Sequence, residues 1–245
     1  MSSKILGAVL RARPLGDNDL ILTVLSQQLG KIDCIAKGVR KSKKSSLYAQ
    51  PFASSEMTLH KGKNFYTVQT ADLKEPFYGL RQSLEALYMG QYLAEVCLCL
   101  PQGNETDAAA VLKLLLNSLF LLAKNPEAGE ILKIKTVFEV KFAQIAGLFP
   151  DVSGCEGCGG ENTELWDFSA GFFCENCGQQ RTGRKISQTV IKVFRHILTA
   201  PQSAAYAFEI SPQLLEYISR LTGDYLETAL DTKFTAAGWY ESLKR

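Results

Sequence analysis

The chain has 245 residues, 46% of them hydrophobic and 21% charged, with a formal net charge of +2. That is enough apolar content for one large core or two to three small ones. The longest apolar stretch, Val111 to Ala123, holds Lys113 and Asn117 and is too short to span a bilayer, and the N-terminus has neither a continuous apolar segment nor a small-residue cleavage site. The expectation is a cytoplasmic protein without leader or membrane anchor.

The first eighty residues read as five short strands, at Ile5–Arg13, Leu20–Ser26, Lys31–Val39, Phe52–His60 and Asn64–Ala71. They are rich in Val, Ile, Thr and aromatics, and turn material such as Pro14-Leu15-Gly16-Asp17-Asn18 and Lys61-Gly62-Lys63-Asn64 separates them. Five strands with no helical period between them predict a small closed or partly closed barrel. Charge is uneven: residues 1–80 carry twelve cations against six acids, so the rest of the chain is net −4. A basic segment attached to an acidic one points to a polyanionic partner for the first.

Past Pro76 the period changes. Helices are predicted from about Leu80 to Val96, from a cap at Thr106/Asp107 to Asn125, and from Gly129 to Ala146. Residues 151–183 are glycine-rich and loop-like. Helices resume after Ser187 and after Ser211-Pro212, the latter with Gly223 as a break. The whole is an α+β multi-domain chain, with a barrel over 1–79 and a mostly helical domain over 80–245 that carries residues 151–183 as an insertion.

That insertion holds Cys155-x2-Cys158 and, fifteen residues on, Cys174-x2-Cys177. Two such turns joined by a hairpin over Leu165–Phe173, turning at Ser169-Ala170-Gly171, bring four thiolates together in the tetrahedral, sulfur-rich arrangement zinc prefers. A closed four-sulfur set leaves no place for water, so the role expected of one Zn2+ is structural. A redox dithiol pair and an iron–sulfur cluster are the rival readings. Cys34, Cys97 and Cys99 sit in apolar patterns and read as small core residues.

Lys37-Gly38-Val39-Arg40-Lys41-Ser42-Lys43-Lys44 concentrates five cations after the third strand. Such a run neutralises phosphates without reading sequence. Arg11 and Arg13, two apart on the first strand, share a face. Tyr48, Phe52, Phe65 and Tyr66 are candidate stacking surfaces for unpaired bases. A solvated loop and core aromatics are the plainer alternative. His60 and His196 have no nucleophile or acid at motif spacing, Asp17 and Asp19 fall in a turn, and no phosphate-binding glycine loop is present, so no enzyme is expected.

Several segments, in this order and spacing, resemble the RecO family of bacterial recombination mediators. They are Gly7-Ala8-Val9-Leu10-Arg11, Gly16-Asp17-Asn18-Asp19-Leu20-Ile21-Leu22-Thr23, Gly30-Lys31, Ala36-Lys37-Gly38-Val39-Arg40-Lys41, Gln50-Pro51-Phe52, Gly147-Leu148-Phe149-Pro150 and the paired C-x-x-C motifs. The resemblance implies an N-terminal OB-fold, a helical domain with a zinc element, and binding and annealing of single- and double-stranded DNA. It also implies action with RecR, single-strand DNA-binding protein and RecA, at the nucleoid. On that basis the nucleic-acid site falls on Arg11, Arg13, Lys37, Arg40, Lys41, Lys43 and Lys44, with Lys31, Lys61 and Lys63 as weaker neighbours. The metal site falls on Cys155, Cys158, Cys174 and Cys177. A protein-interaction adaptor and an RNA-binding barrel remain the alternatives. Lys133, Lys135 and Lys141 are possible flanks of a partner groove.

Overall fold

Alternating apolar residues over the first 75 positions form five strands in the computed structural model, which describes residues 2–41, 46–63, 65–103 and 105–243. They are β1 (Ser2–Leu15), β2 (Asp19–Ser26), β3 (Gly30–Ala36), β4 (Ser54–Lys61) and β5 (Tyr66–Glu75). β1 pairs with β2 and, at its other edge, with β4, so the order β1-β2-β3-β5-β4 closes on itself as an OB-fold barrel. A parallel pairing of β3 with β5 seals it. A bulge between Val9 and Arg11 bends β1, which lets one fourteen-residue strand serve both edges. Ile5, Val9, Leu22, Val24, Cys34, Met57 and Leu59 fill the interior. β3 ends before the predicted Val39, because Gly38 turns at φ +66°.

Two helices follow, α1 (Leu84–Leu98) and α2 (Glu105–Leu122). The Ser83 hydroxyl accepts from the Ala86 N–H at 3.2 Å and caps α1. Then come α3 (Ala128–Ile145), β6 (Leu165–Asp167), β7 (Gly171–Phe173), α4 (Glu175–Gly178), β8 (Arg184–Lys185), α5 (Gln188–Thr199), α6 (Pro212–Ala229) and α7 (Thr235–Ser242). No helix among the described residues is long and apolar enough to cross a membrane.

The chain divides into two compact units, Met1–Glu127 with Phe234–Arg245, and Ala128–Lys233. In the first, α7 returns to α1. Phe234 meets Tyr92 edge-on at 5.3 Å, and the Ala236 N–H donates to the Glu95 carboxylate at 3.1 Å. In the second, α3 packs on α6 across a buried polar row. The Lys135 ammonium lies 2.8 Å from Glu139 and donates to the Ser219 carbonyl, while Thr222 Oγ1 donates to Glu139. α6 runs unbroken through Gly223, where a Cβ would come within 3.0 Å of Lys135 Nζ. The glycine makes room for the ion pair instead of ending the helix.

Candidate nucleic-acid interface and cysteine cluster

Beyond its bulge β1 keeps only β2 as partner, and Arg11 and Arg13 stand exposed on the outer surface. Register carries each across the sheet. One rung runs Arg11, Thr23, Asp33; the next runs Arg13, Ile21, Ile35, Thr67. Asp33 accepts from Thr23 Oγ1 at 2.6 Å and faces the Arg13 guanidinium at 3.6 Å, so Arg13 is partly neutralised and held in place.

The basic segment after β3 is not a free tether at its start. The Gly38 N–H donates to Asp19 Oδ1 at 2.7 Å, the Arg40 N–H to the Asn18 carbonyl at 3.1 Å, and Arg40 Nη1 to the Gly16 carbonyl at 2.9 Å. The turn 37–41 is thereby strapped to the turn between β1 and β2. This also accounts for Asp19, whose carboxylate serves a backbone donor. Lys37, Arg40 and Lys41 are exposed, and with Arg13 they occupy one end of the β1-β2-β3 sheet, with Arg11 one rung further in. Arg40 uses one of its five donors locally and keeps others for an anion. Lys43 and Lys44 lie outside the described residues.

Other sequence candidates separate by burial. Lys61 and Lys63 are exposed on the turn between β4 and β5, with Lys61 Nζ 6.0 Å from the Tyr66 ring centre. Lys31 instead turns its ammonium to the Leu98 carbonyl, at the negative end of α1, and burial lowers its pKa. Phe52 is a core residue, 3% exposed at φ +74°, with its ring ending against Gly90 of α1. Tyr48 and Tyr66 pack on the barrel core. Phe65 alone of the four aromatics is exposed.

In the second unit, Lys135 is engaged with Glu139, and Lys141 donates to the Leu198 and Ala200 carbonyls at 3.0 and 3.2 Å, closing the end of α5. Lys133 lies 3.5 Å from Glu130. His196 Nε2 sits 3.2 Å from the Ala204 carbonyl and packs edge-on against Phe208.

The hairpin predicted between the cysteine pairs is β6–β7, registered Leu165 to Phe173, Trp166 to Phe172 and Asp167 to Gly171. Asp167 accepts from the Ser169 N–H and hydroxyl at 3.0 and 2.7 Å and faces Arg181 at 3.5 Å; these contacts, the Ser169 hydroxyl foremost, hold its carboxyl below the ordinary value. Trp166 anchors the hairpin in its unit. It is fully buried among Phe149, Phe172, Phe194 and Tyr225, with ring centres 4.6 to 5.6 Å away.

The sulfurs of Cys155, Cys158, Cys174 and Cys177 all lie within 4.8 Å of one another, with Cys158 and Cys174 at 3.8 Å. No pair is a disulfide. A tetrahedron with metal–sulfur bonds of about 2.3 Å has edges of roughly 3.8 Å, so the set has the dimensions of a four-thiolate metal site. Backbone support is in place: the Gly157 N–H points to Cys155 Sγ at 3.4 Å and the Cys177 N–H to Cys174 Sγ at 3.5 Å. A side chain at Gly157 would meet the Cys177 sulfur at 3.0 Å. The four residues can hold one metal ion.

The model of the Recombination protein O N-terminal domain matches residues 1–77, and that of the Recombination protein O C-terminal domain matches residues 81–236. The chain belongs to the RecO family. It is 33% identical over 248 residues to the DNA repair protein RecO of Acetivibrio thermocellus, covering 99% of this chain and 97% of that one. Identity to the protein of the same name from Alkaliphilus metalliredigens is 32% over 236 residues, 94% of this chain and 95% of the relative. A third, from Dehalococcoides mccartyi, is 28% identical over 242 residues, with 97% and 94% covered. The family boundary near residue 80 falls at the end of the barrel, so the basic rungs belong to the N-terminal RecO domain and the cysteine cluster to the C-terminal one.

Proposed function

We propose that this RecO-family chain is a non-catalytic recombination mediator that binds single- and double-stranded DNA, promotes annealing of complementary strands and helps load recombinase at gaps. A role in DNA repair and recombination comes with the family. What supports the finer reading is one observation: Arg11, Arg13, Lys37, Arg40 and Lys41 share one end of the barrel sheet, held there by strand register and by the strap onto the β1–β2 turn. OB-fold barrels engage nucleic acid on the surface of their second and third strands and on the adjoining turns.

The physical mechanism needs no bond chemistry. Cations that contact phosphate oxygens release condensed counterions, so binding is tight at low salt and indifferent to sequence. Holding two strands on one basic surface lowers their mutual repulsion and raises their local concentration, while base edges stay free to pair. RecR, single-strand DNA-binding protein and RecA are the proposed protein partners, and the cytoplasm, at the nucleoid, the proposed location.

The ion proposed for the cysteine cluster is a single structural Zn2+. When bound it supplies a four-bond crosslink between the two cysteine turns. The chain's own residues do the rest: Gly157 and Cys177 N–H groups hold the sulfurs, and Trp166 ties the hairpin to its unit. Elemental analysis of the purified chain is expected to give one zinc, lost in Cys155→Ser/Cys174→Ser. Iron with visible absorbance would overturn the assignment.

The function is tested by annealing of complementary oligonucleotides at low salt. Charge reversal of Arg11, Lys37 and Lys41 together is expected to abolish the acceleration, with thermal melting unchanged. Unaltered annealing by a folded triple variant would refute this surface as the site.

A further inference from the structure

We propose that Phe65 is a base-stacking residue that gives this barrel its preference for unpaired over paired strands; the proposal rests on the nucleic-acid reading above. Among the described residues the barrel exposes two large apolar side chains, Leu15 at 39% and Phe65 at 52%, and both sit at turns. Leu15 is at the β1–β2 turn and Phe65 at the β4–β5 turn, the two connections that border the β2–β3 surface in an OB-fold.

The geometry points Phe65 outward. Its neighbour Tyr66 packs on the barrel core, and successive side chains of an extended chain face opposite ways. The Gly62 N–H donates to the Phe65 carbonyl at 2.9 Å, which ties the Phe65 backbone to the turn. Tyr66 pairs with Cys34, which puts Phe65 beside the level of Asp33, at the border of the rung that begins with Arg11. Ile21 and Ile35 lie half-buried on the adjacent rung, so the surface between Phe65 and Arg13 is partly apolar. Lys61 and Lys63, on the same connection, add exposed charge.

A half-exposed phenylalanine on a turn that carries two exposed lysines lies outside the barrel core. It fits a flat apolar ligand whose backbone is anionic. Unpaired bases present such a face; in a duplex the faces are already stacked on their neighbours. The cations therefore bind both forms of DNA, and the ring adds affinity for one of them.

The experiment compares full-length wild type, Phe65→Ala and Phe65→Trp by anisotropy with a labelled thymidine oligonucleotide and with a blunt duplex. Phe65→Ala is expected to weaken oligonucleotide binding about tenfold, to leave duplex binding within about twofold, and to keep the salt dependence of both, since no charge is removed. Phe65→Trp is expected to restore binding, with its added fluorescence quenched by the oligonucleotide. Oligonucleotide binding by Phe65→Ala equal to wild type would overturn the proposal, as would an equal loss for both DNAs. Wild type binding neither DNA at low salt would overturn the nucleic-acid reading itself, a result distinct from any difference between variants.

Discussion

Replacing Glu139 with alanine removes a buried carboxylate from the α3–α6 interface and takes from the Lys135 ammonium, itself largely buried, the counter-charge at 2.8 Å. Glu139 is 1% exposed, lies 2.8 Å from Lys135 Nζ and accepts from Thr222 Oγ1 at 2.6 Å. Removing one partner of such a pair costs about 3–5 kcal/mol, because the survivor stays desolvated. The lower end, about 3 kcal/mol, is expected here, since Lys135 keeps the Ser219 carbonyl and Thr222 can still donate to the Ile218 carbonyl at 3.1 Å. The same reasoning makes Lys135→Met/Glu139→Leu nearly neutral, within about 1 kcal/mol of wild type, since an apolar pair of similar volume needs no compensation. Urea unfolding followed by Trp166 fluorescence, in a Trp239→Phe background, reports on the unit that contains the pair. Glu139→Ala should lower the midpoint by roughly 1.5–2 M and the double variant should return it. A single-variant loss below about 1 kcal/mol, or a double variant as unstable as the single, would refute the reasoning.

Two further outcomes are expected. Gly79→Ala puts a Cβ 1.9 Å from the Ala123 carbonyl oxygen and should cost about 3 kcal/mol or more, whereas Gly129→Ala, with open space around it in α3, should be neutral or slightly stabilising; thermal melting separates them. Burial lowers the Lys31 pKa, so the unfolded chain binds the proton more tightly and stability rises as pH climbs from the lowered value through the ordinary 10.5. Melting of wild type minus Lys31→Met across that alkaline range should show the rise, and its absence would contradict the placement of this ammonium against Leu98.

The barrel was legible because its strands are short, β-branched and separated by turn residues, and five of them with no helical period leave few other architectures. The cysteine cluster was legible for a chemical reason: two C-x2-C turns have little use apart from a common ligand. Burial was not legible, being a property of tertiary placement. Phe52 and Phe65 look alike in sequence, yet one lies under α1 and the other in solvent. Lys135 and Lys141 read as possible flanks of a partner groove, although each is engaged within the second unit, by a carboxylate in one case and a helix end in the other. α7 was not legible because it is eight residues long and contains Gly238, and its position depends on Tyr92 and Glu95, far away in sequence. Gly223 suggested a break where it permits close approach.

The central claim, that a phosphate-binding surface stands on one end of the barrel, is tested most directly by titrating wild type with a labelled single-stranded oligonucleotide across a salt series. Five cations engaged with phosphates predict that log affinity falls linearly with log salt with a slope of about −3 to −4, without sequence preference, and that Arg11→Gln/Lys41→Gln makes it shallower by about 1.4. A folded, metal-loaded protein whose binding is absent at low salt, or whose slope is unchanged in that variant, would contradict the account.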